Sequence, residues 1–182
     1  MIYITADNHF GHTNVIKYCK RPFSSVEEMD EVMIERWNSK VKRNDTVYHL
    51  GDFTLFGSKR ALEYFSKLNG QIYIITNWNH HDKNWIGKIV GRPEGMYQNT
   101  IYESKSLHHV RLIDTISYPL GLGKYIVMCH YPIEEWDRKH YGSIHLHGHS
   151  HGNSRKIPNR YDVGVDCWDF YPVTLEEILE AQ

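Results

Sequence analysis

The chain has 182 residues, 41% of them hydrophobic, and its 21 Lys and Arg nearly balance 22 Asp and Glu, for a formal net charge of −1. This is the size and composition of a single globular domain over residues 1–182, and the neutral balance gives no electrostatic case for long nucleic acid or an acidic membrane surface, while a small phosphorylated or nucleotide-type substrate stays compatible. Cys19, Cys129 and Cys167 are too few and scattered for a disulfide frame or a C-x-x-C zinc site, no apolar run approaches membrane-spanning length, and Met1-Ile-Tyr-Ile enters a strand pattern without a basic leader, so a cytoplasmic protein with reduced thiols is expected.

In chain order, Ile2–Ala6 reads as a short buried strand, and Asp7-Asn-His-Phe-Gly-His12 as the loop after it. Thr13–Cys19 follows as a short helix capped by Thr13, and Arg21-Pro-Phe-Ser as a break. Ser24 and Ser25 with Glu27 and Glu28 offer two overlapping capping boxes. Val26, Met29, Met33, Trp37 and Val41 then recur at helical spacing, the stripe of a core-facing helix. Thr46–Leu50 is a strand running into Gly51-Asp52. Ser58–Leu68 is a helix with Leu62, Phe65 and Leu68 on one face, stopped by Asn69-Gly70. Gln71–Thr76 is a strand running into Asn77-Trp-Asn-His-His-Asp82. The first half therefore reads β-α-β-α-β, which favours a parallel sheet and an α/β class.

The second half is richer in strands. Residues 82–99 show no clear period. Thr100–Glu103 and Val110–Ile116 read as strands, Ser117–Gly123 as a turn, and Tyr125–Cys129 as a strand ending at His130-Tyr-Pro132. Ser143–His147 is a strand that delivers His145-Leu-His-Gly-His-Ser-His151, and Tyr161–Val165 is another. Thr174 with Glu177 caps a short terminal helix whose apolar side is Leu175, Ile178 and Leu179.

Five apolar runs each end in groups able to hold a metal: Asp7 and His9, Asp52, Asn79 and His80, His130, and His149 and His151. In α/β sheets, ligand sites form beyond the carboxyl ends of strands, and imidazole is the commonest side-chain metal ligand. A single Asp after a strand is ordinarily a turn former, and a single His an ordinary surface or core residue. Their coincidence at five strand ends points to one metal centre.

Asp7-x-His9, Gly51-Asp52, Asn79-His80, His130-Tyr-Pro and Gly148-His149-Ser-His151, in that order, resemble the motif set of the calcineurin-like metallophosphoesterases. The likeness spans residues 7–151. The phrases Val47-Tyr-His-Leu-Gly-Asp-Phe53 and His145-Leu-His-Gly-His-Ser-His-Gly152 bring the chain closest to the compact bacterial and phage-type phosphoesterases. The resemblance implies a layered α/β/β/α sandwich of two mixed sheets with helices outside. It implies hydrolysis of a phosphate mono- or diester by two divalent ions (Mn, Fe, Zn, Co or Ni), with a metal-bridging water as nucleophile. By position, Asp7, His9 and His151 would hold one ion, Asn79, His130 and His149 the other, and Asp52 would bridge them. Two ions about 3.5–4 Å apart need such a shared carboxylate. His80 would protonate the leaving alkoxide.

One turn departs from the family pattern. Where the family has Gly-Asn-His followed by Asp or Glu, this chain has Trp78-Asn79-His80-His81, with Asp82 one place later. Either Asp82 reaches back to orient the imidazole, or the turn differs, or His81 with Asp82 takes over the acid role. His12, Arg21 and His81 are further candidates to meet a substrate phosphate, with Asn14 beside His12. His145, His147 and Asp166 are candidates to hold the outer nitrogen of a ligand imidazole. Tyr131, Trp136 and Trp168 can line a pocket or pack in the core. Two rivals stand beside the esterase: a nuclease on the same centre, and a non-catalytic scaffold with an altered metal site.

Overall fold

The computed structural model describes residues 1–75, 81–89, 101–103, 109–113, 116–119 and 125–181. Strands β1 (Ile2–Thr5), β2 (Thr46–His49), β3 (Gln71–Ile75), β4 (Ile101–Glu103) and β5 (Val110–Ile113) form a five-stranded sheet in the order β1-β2-β3-β5-β4. All neighbours are parallel except β4 and β5. Helices α1 (Thr13–Tyr18), α2 (Val26–Lys40), α3 (Ser58–Phe65) and α4 (Ile86–Ile89) are interleaved with these strands. Strands β6 (Ile116–Pro119), β7 (Tyr125–Met128), β8 (Ile144–His147) and β9 (Arg160–Asp162) form a second sheet in chain order, with β6 antiparallel and the rest parallel. Helix α5 (Leu175–Glu180) closes the described chain.

The α/β class holds, and the departures have local reasons. Val110–Ile116 is not one strand: β5 ends at Ile113, and Ile116 opens β6 in the other sheet. The Pro119 and glycine signal placed a turn over Ser117–Gly123, yet Ser117–Pro119 pairs with β7. Pro119 is the last residue of a strand at the sheet's edge, where a missing N–H is tolerated. Thr13 is the first helical residue rather than the cap of α1; His12 holds the cap position and makes no side-chain capping bond. The two serines before α2 divide the expected boxes: Ser25 Oγ accepts from the Glu28 N–H, and the Glu28 carboxylate accepts from the Ser24 N–H and hydroxyl. Thr174 and Glu177 form a complete capping box.

The pleat divides the first sheet between two hydrophobic clusters. Tyr3, Val47, Ile72 and Ile74 join Met29, Met33 and Trp37 of α2 and Ala61, Tyr64 and Phe65 of α3. Ile4, Tyr48 and Ile75 join Ile126 and Met128 of β7, Ile144 and Leu146 of β8, and Leu175 and Ile178 of α5. Each large apolar side chain fully buried in this way contributes about 1.5–3 kcal/mol. The shared face aligns the carboxyl ends of β1, β2, β7 and β8, where the candidate ligands lie.

Candidate metal centre

The loops that carry the candidate ligands are bonded to one another. Asp7 N–H donates to Gly51 O at 3.1 Å, His9 N–H to Asp52 O at 3.0 Å, and Phe10 N–H to Phe53 O at 2.9 Å, so the segments after β1 and β2 run as one ladder. Gly148 N–H donates to His130 O, tying the ends of β7 and β8, and Val165 N–H donates to Ala6 O, tying the segment after β9 to β1. Asp7, His9, Asp52, His149 and His151 all adopt left-handed backbone angles, with φ of 60°, 52°, 56°, 67° and 46°. Such angles are uncommon outside glycine and persist where surrounding structure over-determines them. The Asp7 carboxylate passes between two glycines. A Cβ on Gly148 would stand 2.7 Å from Asp7 Oδ2, and one on Gly164 would stand 2.6 Å from it.

Asp7, His9 and His151 bring three ligand atoms within 4.8 Å of one another, as do Asp52, His130 and His149. Asp52 Oδ2 lies 3.6 Å from His9 Nε2 and 3.5 Å from His130 Nε2, so one carboxylate faces both trios. Among the described residues, Asp7 Oδ1 and both ring nitrogens of His9 are buried and have no hydrogen-bond partner. Leaving three such atoms without partners costs several kcal/mol, so a cation among them is a physically consistent occupant. The donor set is mixed imidazole nitrogen and carboxylate oxygen, apt for first-row divalent ions. His130 Nδ1 bonds Leu50 O at 2.8 Å, and His151 Nδ1 bonds Asp166 Oδ2 at 2.7 Å. As donors at Nδ1, both rings keep the Nε2 lone pair for an ion.

The electrostatics are those of a centre held together by protons when no ion is bound. Burial pushes Asp7 up to about 7, against the pull of His130 and His151. Burial would lower His130, but the Asp52 carboxylate 3.5 Å from its Nε2 raises it to about 9. Burial would raise Asp52, yet His130, His9 and His81 draw it well below the carboxylate range. Burial holds His9 well below the usual histidine value.

Asn79 and His80 lie outside the described residues, as does Trp78, so the second trio is described without its expected Asn ligand. His81 is described, and it forms a further trio with His9 and Asp52; its Nε2 lies 3.9 Å from Asp52 Oδ2. Its ring meets His9 edge-on at 5.1 Å, and His12 lies 5.6 Å from His9. Both therefore flank the first trio, while Asn14 is exposed. His80, the imidazole that Asp82 would reach back to, lies outside the described residues, and among the described residues Asp82 has other partners. It accepts from the Phe53 and Thr54 N–H groups and from Trp85 Nε1–H, fixing the loop after Asp52.

Arg21 corrects the expectation of a phosphate donor. Its side chain is 0% exposed, and its guanidinium is engaged by Asp166 and by the carbonyls of Asp7 and Asn8. His145 and His147 are also corrected. Their rings bond backbone groups, His145 at Val127 O, Tyr131 O and Ile133 N–H, and His147 at Gly148 O, so they shape the loops rather than hold ligand rings. Asp166 does hold one, that of His151. Tyr131 packs edge-on against His130 and His149, whereas Trp136 is buried and bonds Ser143. Trp168 Nε1–H is taken by Asp162 O. Cys19 groups with His151 and Asp166, but Arg21 occupies both Asp166 oxygens, which opposes a cation there.

Residue patterning did not reveal the buried supports. Asn8 Oδ1 accepts from His49 Nε2–H at 2.8 Å, and His49 Nδ1 accepts from Gly51 N–H, locking the β1 and β2 loops together. Asp162 accepts from Ser150 Oγ–H and from the Gly152 and Gly164 N–H groups, bracing the His149–His151 turn. Asp162 is the last residue of β9, whereas the apolar pattern ran the strand on to Val165 and so hid its strand-end place.

Comparison with protein-family models finds no match. The chain is 32% identical to the uncharacterized protein MJ1445 of Methanocaldococcus jannaschii over 191 residues, covering 98% of this chain and 89% of that protein. It is 28% identical to the Gene 66 protein of Mycobacterium phage L5, covering 91% of this chain and 86% of that one. Among solved structures, the protein of unknown function AQ665 from Aquifex aeolicus superposes with a TM-score of 0.64 at 20% identity, covering 100% of this chain and 99% of that one. At that identity the likeness is one of fold.

Proposed function

We propose, for a chain that belongs to the family of the uncharacterized protein MJ1445 of Methanocaldococcus jannaschii, that it is a dinuclear-metal phosphoesterase acting on a small phosphorylated or nucleotide-type mono- or diester. The reading is carried by two trios of ligand atoms converging on Asp52, beside Asp7 and His9 atoms that are buried without hydrogen bonds. The ordered motifs that resemble the calcineurin-like metallophosphoesterases support it. So do two mixed sheets sharing a core, which suit the layered α/β/β/α arrangement of that superfamily.

Asp7, His9 and His151 would hold one ion, and His130 and His149 the other with Asn79, with Asp52 facing both. The chemistry supplied by bound ions is Lewis acidity toward a phosphoryl oxygen and acidification of a water. Leu50 O and Asp166 orient the His130 and His151 rings. His12 and His81, beside His9, are placed to meet the phosphate, and a leaving alkoxide needs a proton from His80 or His81. The three free cysteines suit a reducing, cytoplasmic setting.

The test is a panel of monoesters, linear and cyclic diesters and nucleotides, offered to protein reconstituted with Mn²⁺. Turnover of at least one class is expected, and Asp52→Asn should weaken both ions and abolish it. A chain that holds two ions and hydrolyses no phosphoester overturns the assignment, and loss of only one ion in Asp52→Asn overturns the shared carboxylate.

A further inference from the structure

Arg21 sits at the turn after α1 and joins Asp7 and Asn8 on the preceding loop to Asp166, which is 145 residues away. Its Nε–H and Nη2–H donate to the two Asp166 oxygens at 2.8 Å each, a fork-to-fork pair. Nη2 also donates to Asp7 O at 2.7 Å, and Nη1 to Asn8 O at 2.9 Å. Asp166 accepts the His151 Nδ1–H at 2.7 Å. One buried cation thus reaches two ligands of the same trio by separate routes. It grips Asp7 through the backbone of a left-handed residue, and His151 through the carboxylate that aims its ring. His130, in the other trio, bonds a neutral carbonyl instead.

We propose that Arg21 is a positioning residue that, through Asp166 and the Asp7 carbonyl, sets the affinity of the Asp7–His9–His151 trio for its divalent ion and leaves the Asp52–His130–His149 trio largely untouched. The inference rests on the two-ion reading above. A carboxylate on the outer nitrogen fixes the ring and raises its basicity as a ligand, and removing such a support lowers metal affinity about 10–100-fold. Lysine is a point charge on a flexible stem and does not reproduce the planar fork that spans a carboxylate and two carbonyls.

The experiment is a Co²⁺ titration followed by visible absorption and metal stoichiometry. It uses wild type, Arg21→Met, Arg21→Lys, Asp166→Asn and the Arg21→Met/Asp166→Asn double variant. His9→Ala and His149→Ala provide reference spectra for loss at each trio. Wild type should take up two ions. Asp166→Asn and both Arg21 variants should weaken one ion about 10–100-fold, with the difference spectrum of His9→Ala, and the double variant should add little. Asp166→Asn keeps side-chain shape and carries the test should Arg21→Met fold poorly. Equal weakening of both ions, no weakening, or full recovery in Arg21→Lys overturns this inference alone. A wild-type chain that takes up no Co²⁺ overturns the two-ion reading and this inference with it.

Discussion

At the scale of single residues, the centre is built from strained positions. Five of its candidate ligands have φ between 46° and 67°, and the ladder between the β1 and β2 loops, the Asp162 brace and the Arg21 fork are what hold them there. Gly148 is one tight point: an added Cβ would meet Ala6 Cβ at 2.6 Å and Asp7 Oδ2 at 2.7 Å. Gly148→Ala should therefore cost about 1–3 kcal/mol as an overpacked substitution and displace the Asp7 carboxylate. Urea unfolding in chelator should show the stability loss, and Mn²⁺ binding should show weakened uptake. Unchanged affinity would mean that the Asp7 carboxylate has room to move. The candidate ligands are readable in the residues as strand-end groups, because Asp and His there stand out against apolar runs. Arg21 reads as either a candidate phosphate donor or a surface arginine, since a lone arginine in a loop gives no sign of whether a distant Asp166 will enclose it.

At the scale of elements, α2 was legible because its stripe is regular, and Met29, Met33 and Trp37 are all buried in the first cluster. Trp37 also donates its Nε1–H to Asn69 O at 2.9 Å, joining the helix to the turn before β3. Trp37→Ala should cost about 3–5 kcal/mol, read as a fall in the denaturant midpoint. The ligand loops are held by bonds that do not involve Trp37, so Mn²⁺ stoichiometry of the folded variant should stay at wild type. Parallel loss of ions would show that α2 props up the centre directly. The boundary between β5 and β6 was not legible. Both strands are short and apolar, and their assignment to different sheets depends on which neighbours they meet, β3 and β4 or β7.

For the whole molecule, the two-ion reading opposes protonation and metal uptake at one place. With no ion bound, His130 rises from 6.5 to about 9 as its Asp52 partner outweighs burial. A histidine raised on folding stabilises fully below its unfolded value, and that contribution is lost as pH climbs through the folded value. Metal-free protein should thus lose stability between pH 7 and 9, by at most about 1.4 kcal/mol per pH unit. An ion must displace the same proton, so Mn²⁺ affinity should strengthen over that range, and metal-loaded protein should not show the alkaline loss. Thermal melts with and without chelator across pH 6.5–9 check the sign; a metal-free protein that gains stability there would show His130 to be neutral. No helix among the described residues is long and apolar enough to cross a membrane.

The α/β class, the core stripe of α2 and the placement of Asp7, His9, Asp52, His130, His149 and His151 at strand ends follow from local rules, because period, capping and strand alternation act over a few residues. The division into two sheets, the burial of Arg21 against Asp166, the Asn8–His49 tie and the bonding of Asp82 to Phe53 and Thr54 do not. Each is a pairing between residues 28 to 145 apart in the chain or between strands of unspecified order. Such pairings form only when packing has brought the partners together and removed the water that would otherwise satisfy them.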